Sequence, residues 1–203
     1  MSDHYFSAQP GIARKPRSRT VMLAGAERTV TTDSGIFSPD GVDKGTQVLL
    51  STAPEPPARG KLLDIGCGWG PIALSLGLRA PEAEVYAVDV NERALEVTRE
   101  NAAALGLSRV HVSTPQEIDP GLRFDLIWSN PPIRVGKAVL HEILQIWLPR
   151  LAVGGKAYLV VQKNLGSDSL QEWIAGTFDD LSIRRMTSVK AFRVLEVVRP
   201  AES

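Results

Sequence analysis

Asp64-Ile65-Gly66-Cys67-Gly68-Trp69-Gly70 is the stretch whose reading settles the fold of this chain. The apolar run Lys61–Ile65 enters it and the helically spaced Pro71–Ala80 leaves it, so a buried strand turns sharply into a helix. Glycines there let the backbone approach a ligand where a Cβ would clash. Pro71 suits a first helical turn, and the helix N-terminus behind the glycines favours an acceptor group such as a carboxylate. Asp89 ends the next strand, Glu84–Val90, 25 residues after Asp64. A carboxylate at that place can accept hydrogen bonds from both hydroxyls of a ribose.

Two cofactors share this pattern. The sixth place of a GxGxxG dinucleotide turn is Pro71 here, and Asp64 would repel a pyrophosphate. The same acid would attract the ammonium of a methionine moiety, so S-adenosylmethionine (SAM) fits better than NAD. The candidate cofactor contacts are Asp64, Gly66, Cys67, Gly68, Gly70, Asp89, Val90 and Asn130. Cys67 reads as a small buried side chain with no paired base, not as a nucleophile.

Outward from this unit the alternation continues. Asn91 caps a helix that runs to Leu105 and is closed by Gly106. Val110–Ser113 and Phe124–Ser129 are strands, Lys137–Leu151 a helix, Gly154-Gly155 a turn and Lys156–Gln162 a fifth strand. Ser169–Phe178 is helical, and Leu181–Met186 and Phe192–Val198 close the chain with little between them. Alternating strands and helices imply right-handed crossovers and a parallel sheet, while the short last link implies one antiparallel strand. The expected class is α/β: a Rossmann-like, seven-stranded, SAM-dependent methyltransferase sheet, mostly parallel with a C-terminal antiparallel hairpin. The proline-rich Ala53–Gly60 is a loop. Residues 53–203 are expected to form the main domain. Residues 1–52 are expected to form a cap packed on it, with a hairpin over Thr20–Leu23 and Arg28–Thr32 and a short helix over Asp43–Ser51.

Ser129-Asn130-Pro131-Pro132-Ile133 ends the fourth strand, at the edge where open α/β sheets bind ligands. Two prolines hold the segment stiff and present the Asn130 side-chain oxygen and the Pro131 carbonyl as fixed acceptors. Two acceptors on one planar –NH2 group engage both its hydrogens, free the nitrogen lone pair and stabilise the charge that develops on nitrogen. Alignment supplies much of the rest. Asn130, Pro131, Pro132 and Ile133 are therefore the candidate catalytic residues, and Arg134 and Lys137 just beyond them the candidate substrate contacts.

The bulk numbers restrict the alternatives. With 23 basic and 23 acidic side chains the formal charge is zero, so only local patches can hold nucleic acid. Arg14–Arg19 is one such run, and Lys163, Arg184, Arg185, Lys190 and Arg193 are others. One cysteine excludes an internal disulfide and points to a reducing compartment. No secretory signal or membrane-length apolar run is present, so a cytoplasmic protein without a membrane partner is expected. His4, His111 and His141 lack metal-ligand spacing, and no metal is expected.

At this point the chain resembles the "small" methyltransferase domain of RsmC-like ribosomal RNA guanine-N2 methyltransferases. Four stretches carry the likeness: His4-Tyr5-Phe6-Ser7; Ile36-Phe37-Ser38 with Gly41-Val42-Asp43-Lys44-Gly45-Thr46; Asp64–Gly70; and Asn130–Ile133. The resemblance implies SAM contact at Asp64, Gly66, Gly68 and Asp89, target-amine contact at Asn130 and Pro131, and a segment Phe37–Thr46 packed over the cofactor side. It implies an RNA partner, ribosomal RNA or the small subunit, with guanine N2 first among targets. Adenine N6 and a protein glutamine N5 share the same acceptor geometry, and a non-catalytic SAM-binding RNA-recognition module is a further reading. The family often has an acid after the third strand to meet adenine, where this chain has Ser113-Thr114-Pro115-Gln116-Glu117. Ile133 replaces a common aromatic residue with an apolar wall. The chain resembles a stand-alone form of the family.

Overall fold

The computed structural model describes residues 13–132 and 135–201. Its first elements are a hairpin, β1 (Arg17–Leu23) with β2 (Ala26–Thr32), and a helix, α1 (Lys44–Thr52). The main sheet then begins with β3 (Lys61–Ile65), buried on both faces as a central parallel strand must be. Pro71 opens α2 (Pro71–Arg79), and Gly70 before it adopts φ 98°, a conformation that favours glycine. There follow β4 (Glu84–Val88), α3 (Glu92–Ala104) capped by the Asn91 side chain on the Arg93 amide, β5 (Val110–Ser113) and β6 (Phe124–Ser129). The chain finishes with α4 (Lys137–Trp147), β7 (Leu151–Gln162), α5 (Ser167–Thr177), β8 (Ser182–Val189) and β9 (Phe192–Val198).

The strand order is β5-β4-β3-β6-β7-β9-β8. The first five of these are parallel, and β9 runs antiparallel to both β7 and β8. This is the Rossmann-like methyltransferase sheet. The order reverses between β3 and β6, and a crevice opens beyond the carboxyl ends of those two strands. One apolar core lies between the sheet and the α4–α5 layer, built around Phe124, Leu144, Trp147 and Leu159. A second, around Leu49, Ile72, Leu76, Trp128 and Val194, lies on the opposite face under α1 and α2. A third joins the β1–β2 hairpin to Trp69 and α3 through Leu23, Val30, Leu74 and Val97.

One expectation is corrected. The helix expected over Lys137–Leu151 stops at Trp147, because Pro149 turns Leu148–Arg150 into a single 3-10 turn. Gly154-Gly155 is then not the expected turn between helix and strand. It lies inside β7, where the register against β6 jumps from Phe124↔Leu151 to Leu126↔Lys156. A Cβ on Gly155 would sit 2.8 Å from the carbonyl oxygens of Ala152 and Phe124, so this bulge requires glycine.

Candidate active site

The glycine turn is tied to the strand beside it before any ligand is considered. The Gly66 and Cys67 amides both donate to the Val88 carbonyl, at 2.8 and 3.0 Å. The Gly68 amide donates to Asp89 Oδ2 and the Asn91 amide to Asp89 Oδ1, each at 2.9 Å. Thr98 Oγ1 and Asn101 Nδ2 of α3 donate to the carbonyls of Gly68 and Trp69. A Cβ added to Gly66, at φ 74°, would meet nothing within 4 Å. The backbone there faces open space, a cradle that only glycine leaves clear.

Asp64 is fully buried at the end of β3. Its Oδ2 accepts the Ala73 amide at 3.0 Å, while its Oδ1 has no hydrogen-bond partner. Burial, helped by the nearby Asp89 charge and opposed by the Ala73 amide, pushes its carboxyl up to about 8. A sealed carboxylate with an orphan oxygen calls for a cation, and the ammonium of a methionine moiety fits that demand. Burial also raises Asp89, against the amides of Asn91, Gly68 and Val90. Cys67 is buried with its thiol pushed well up by burial, which leaves it inert as a nucleophile.

Asn130 supplies the opposite wall. Its Nδ2 donates to Asp43 Oδ2 at 2.9 Å and to Thr46 Oγ1 at 3.1 Å. Asp43 is also the N-cap of α1, accepting the Gly45 and Thr46 amides. An ionised carboxylate only accepts, so the amide must turn its NH2 toward α1, and Oδ1 becomes the atom left for an incoming donor. The Ser129 hydroxyl donates to the Ile65 carbonyl at 2.8 Å and pins the two strand ends together. Pro131 is buried and Pro132 half-buried. Phe37, Ser38, Asp43, Thr46, Gly66, Cys67, Gly68, Trp69 and Asn130 line one cleft. The Trp69 indole donates to the Ser38 carbonyl at 3.2 Å, so the segment before α1 closes one side.

Of the residues expected from sequence, Gly66, Cys67, Gly68 and Asn130 thus line one cleft, with Asp64 and Asp89 behind the turn. Val90 follows Asp89, half-buried. Gly70 faces α3 instead: a Cβ there would come within 3.0 Å of the Thr98 methyl. Lys137 lines a separate depression between α4 and α5 with Leu140, His141 and Leu165. Ile133, Arg134 and the His4–Ser7 stretch lie outside the described residues. Glu117, the acid in the stretch after β5, is engaged by the Thr114 amide and hydroxyl, whereas the buried Ser113 hydroxyl at the end of β5 has no partner.

The arginine runs are engaged in ion pairs with acids of the fold. Arg14 pairs with Asp33 and Glu96, and Arg17 and Arg19 with Asp40. Arg184 pairs with Glu196, and Arg185 and Arg193 with Asp168. Sequence reading missed Asp43 and Thr46 as supports of Asn130. Their only sequence signal is an Asp ahead of Gly-Thr, which announces a helix cap.

Gly45 makes this clamp possible. A Cβ there would lie 3.0 Å from Asp43 Oδ2, 3.1 Å from Phe192 Cε1 and 3.3 Å from Asn130 Nδ2. Gly45→Ala is expected to displace the amide by a few tenths of an ångström and lower kcat on the order of tenfold. Cofactor affinity measured by calorimetry should stay unchanged, and a matching loss of that affinity would contradict the assignment.

The model of one family, described as the methyltransferase small domain, matches residues 27–196. The chain belongs to the methyltransferase small domain family. It is a methyltransferase, with SAM as its methyl donor. The methyltransferase is 37% identical over 186 residues to the uncharacterized protein YbxB of Bacillus subtilis, covering 90% of this chain and 92% of that one. It is 42% identical over 117 residues to ribosomal RNA small subunit methyltransferase C of Klebsiella pneumoniae, covering 58% of this chain and 34% of the relative. A solved structure of the Thermus thermophilus 16S rRNA N2 G1207 methyltransferase, in complex with AdoMet and guanosine, superposes with a TM-score of 0.80 at 25% identity. It covers 94% of this chain and 52% of that one. The methyltransferase therefore spans a third to about half the length of these ribosomal RNA relatives.

Proposed function

We propose that the methyltransferase acts on the exocyclic amine of an RNA base, with guanine N2 of small-subunit ribosomal RNA as the target. One observation carries this reading: the Asn130 amide is clamped by Asp43 and Thr46 so that its Oδ1 remains as an acceptor beside the cofactor turn. A planar amine offers two N–H donors, and Oδ1 with the Pro131 carbonyl would take both. That draws electron density onto the nitrogen and stabilises its positive charge as the bond forms. The proton leaves after transfer, so no strong base is needed among the site residues. When bound, SAM supplies an electrophilic methyl on a sulfonium.

The chain's own residues would hold it as follows. The Asp64 Oδ1 would meet its ammonium, the Gly66, Cys67 and Gly68 backbone would receive its methionine moiety, and Asp89 would accept from the ribose with Val90 beside it. Pro132 and Ile133 would wall the target base, and Arg134 and Lys137 would contact the RNA. Relatives named for small-subunit ribosomal RNA support the substrate class, as does the guanosine bound by the structural neighbour. The reading places the protein in the cytoplasm with its RNA.

Asp89→Ala should weaken SAM by about 1.5–3 kcal/mol, the range for hydrogen bonds to a charged group, measured by calorimetry. It should also lower the melting temperature, because Asp89 holds the Gly68 and Asn91 amides. The substrate is tested by offering purified protein and tritiated SAM to small ribosomal subunits, bulk RNA, DNA and release factors. N2-methylguanosine identified by mass spectrometry is the expected product. Label in adenine, or in protein alone, overturns the proposal.

A further inference from the structure

The lysines of this protein are distributed differently from its arginines. Four of the seven, Lys44, Lys137, Lys163 and Lys190, are exposed and stand on segments at the carboxyl edge of the sheet, the edge that carries Asn130. Lys44 is the first residue of α1, directly after Asp43. Lys190 is in the two-residue β8–β9 turn, and the Phe192 ring beyond it packs against Gly45. The Lys163 amide donates to the Ala191 carbonyl at 2.8 Å, which places the end of β7 beside that turn. Lys137 opens α4 and lies close to Gly166, at the start of α5.

None of the four has an ion pair among the described residues, in contrast to the arginines of β1, β8 and β9. Three acids at this edge are engaged, while Glu92 at the start of α3 is exposed. Asp43 holds Asn130, Asp89 holds backbone amides, and Asp168 holds Arg185 and Arg193. The segments 135–138, 162–167 and 188–193 contain no acid. Between the lysines, Val135 and Leu165 are 49% and 41% exposed. A face evolved only for solubility intersperses charges of both signs. Unpaired cations alternating with exposed apolar side chains suit a strand whose charges lie on its backbone and whose bases are apolar on their faces.

The geometry points to this rim as the track that holds the phosphates of a single-stranded RNA segment while one base enters the cleft at Asn130. The inference rests on the RNA reading above and deepens it by naming Lys44, Lys163 and Lys190, with Lys137, as the phosphate contacts. The test is fluorescence anisotropy with a fluorescein-labelled single-stranded RNA 20-mer of mixed sequence, titrated at several salt concentrations. Four phosphate contacts on a single strand predict a slope of log K against log salt near −3, since each contributes roughly −0.7. The quadruple Lys→Gln variant should lose most of that slope, and in each single variant the slope should be shallower by about 0.7, roughly a quarter of the total. SAM affinity, read by calorimetry, should be unchanged in all of them. Lys61→Gln with Arg123→Gln, at the opposite edge, should bind RNA as the parent does.

If the parent binds with the expected slope and the quadruple variant keeps it, the rim is wrong and the RNA reading stands. Equal loss in the opposite-edge variant likewise overturns the rim. If the parent shows no salt-dependent RNA binding, both fail.

Discussion

Asn130→Ala is expected to leave SAM binding intact while kcat falls on the order of 10²–10³-fold, the loss typical when one preorganised polar group is removed from a developing charge. The separation of the two effects follows from the architecture. The cofactor turn is held by Val88, Asp89 and Thr98, and none of those bonds passes through Asn130. Removing the amide also leaves Asp43 with two backbone donors, so α1 keeps its cap and the melting temperature should move little. Single-turnover rates with saturating cofactor, set beside calorimetric affinities, check this. A variant that turns over at the parental rate would remove Asn130 from the chemistry.

Asp64 gives the second large effect, and its sign can be worked out. Its carboxyl is raised to about 8 by burial, so near neutrality the ligand-free protein holds it mostly protonated. A cationic ammonium favours the ionised form. Binding then releases a proton, and log K should climb by up to about one per pH unit between pH 6 and 8 before flattening. Calorimetry in two buffers of different ionisation enthalpy would count the proton. The same shift acts on the fold in the opposite sense. The folded state binds a proton more tightly than the unfolded one, so this group's contribution to stability declines as pH rises from the ordinary carboxylate range to about 8. Asp64→Asn should flatten both profiles, weaken SAM by about 1.5–3 kcal/mol and raise the melting temperature at pH 8. A pH-independent affinity in the parent would refute the ammonium role.

The parts of this protein that could be read from sequence are those whose partners are close along the chain. β3, the glycine turn and α2 are contiguous, and Asp89 is one βα unit away, so composition and spacing placed all of them. The Asn-Pro-Pro segment was readable because proline stiffens its own neighbourhood. The reach of Asp43 and Thr46 to Asn130 crosses 87 and 84 residues, and no periodicity encodes a contact at that separation. The bulge at Gly155 was misread as a turn because a glycine pair has the same local signature in both settings. The partners of the arginine runs were not readable for a related reason: Asp168 and Glu196 reach them only after α5 and β9 meet the end of the sheet.

α1 has nine residues, too few to stay helical alone in water, and the surface it docks on belongs to β7 and β9. On a growing polypeptide that helix leaves the tunnel early, meets α2 soon after, and gains its full footing only when β7 and then Phe192 of β9 emerge. The clamp on Asn130 therefore has its whole backing only once β7 and β9 are both in place. A truncated nascent product could grip its methyl donor and still be unable to use it.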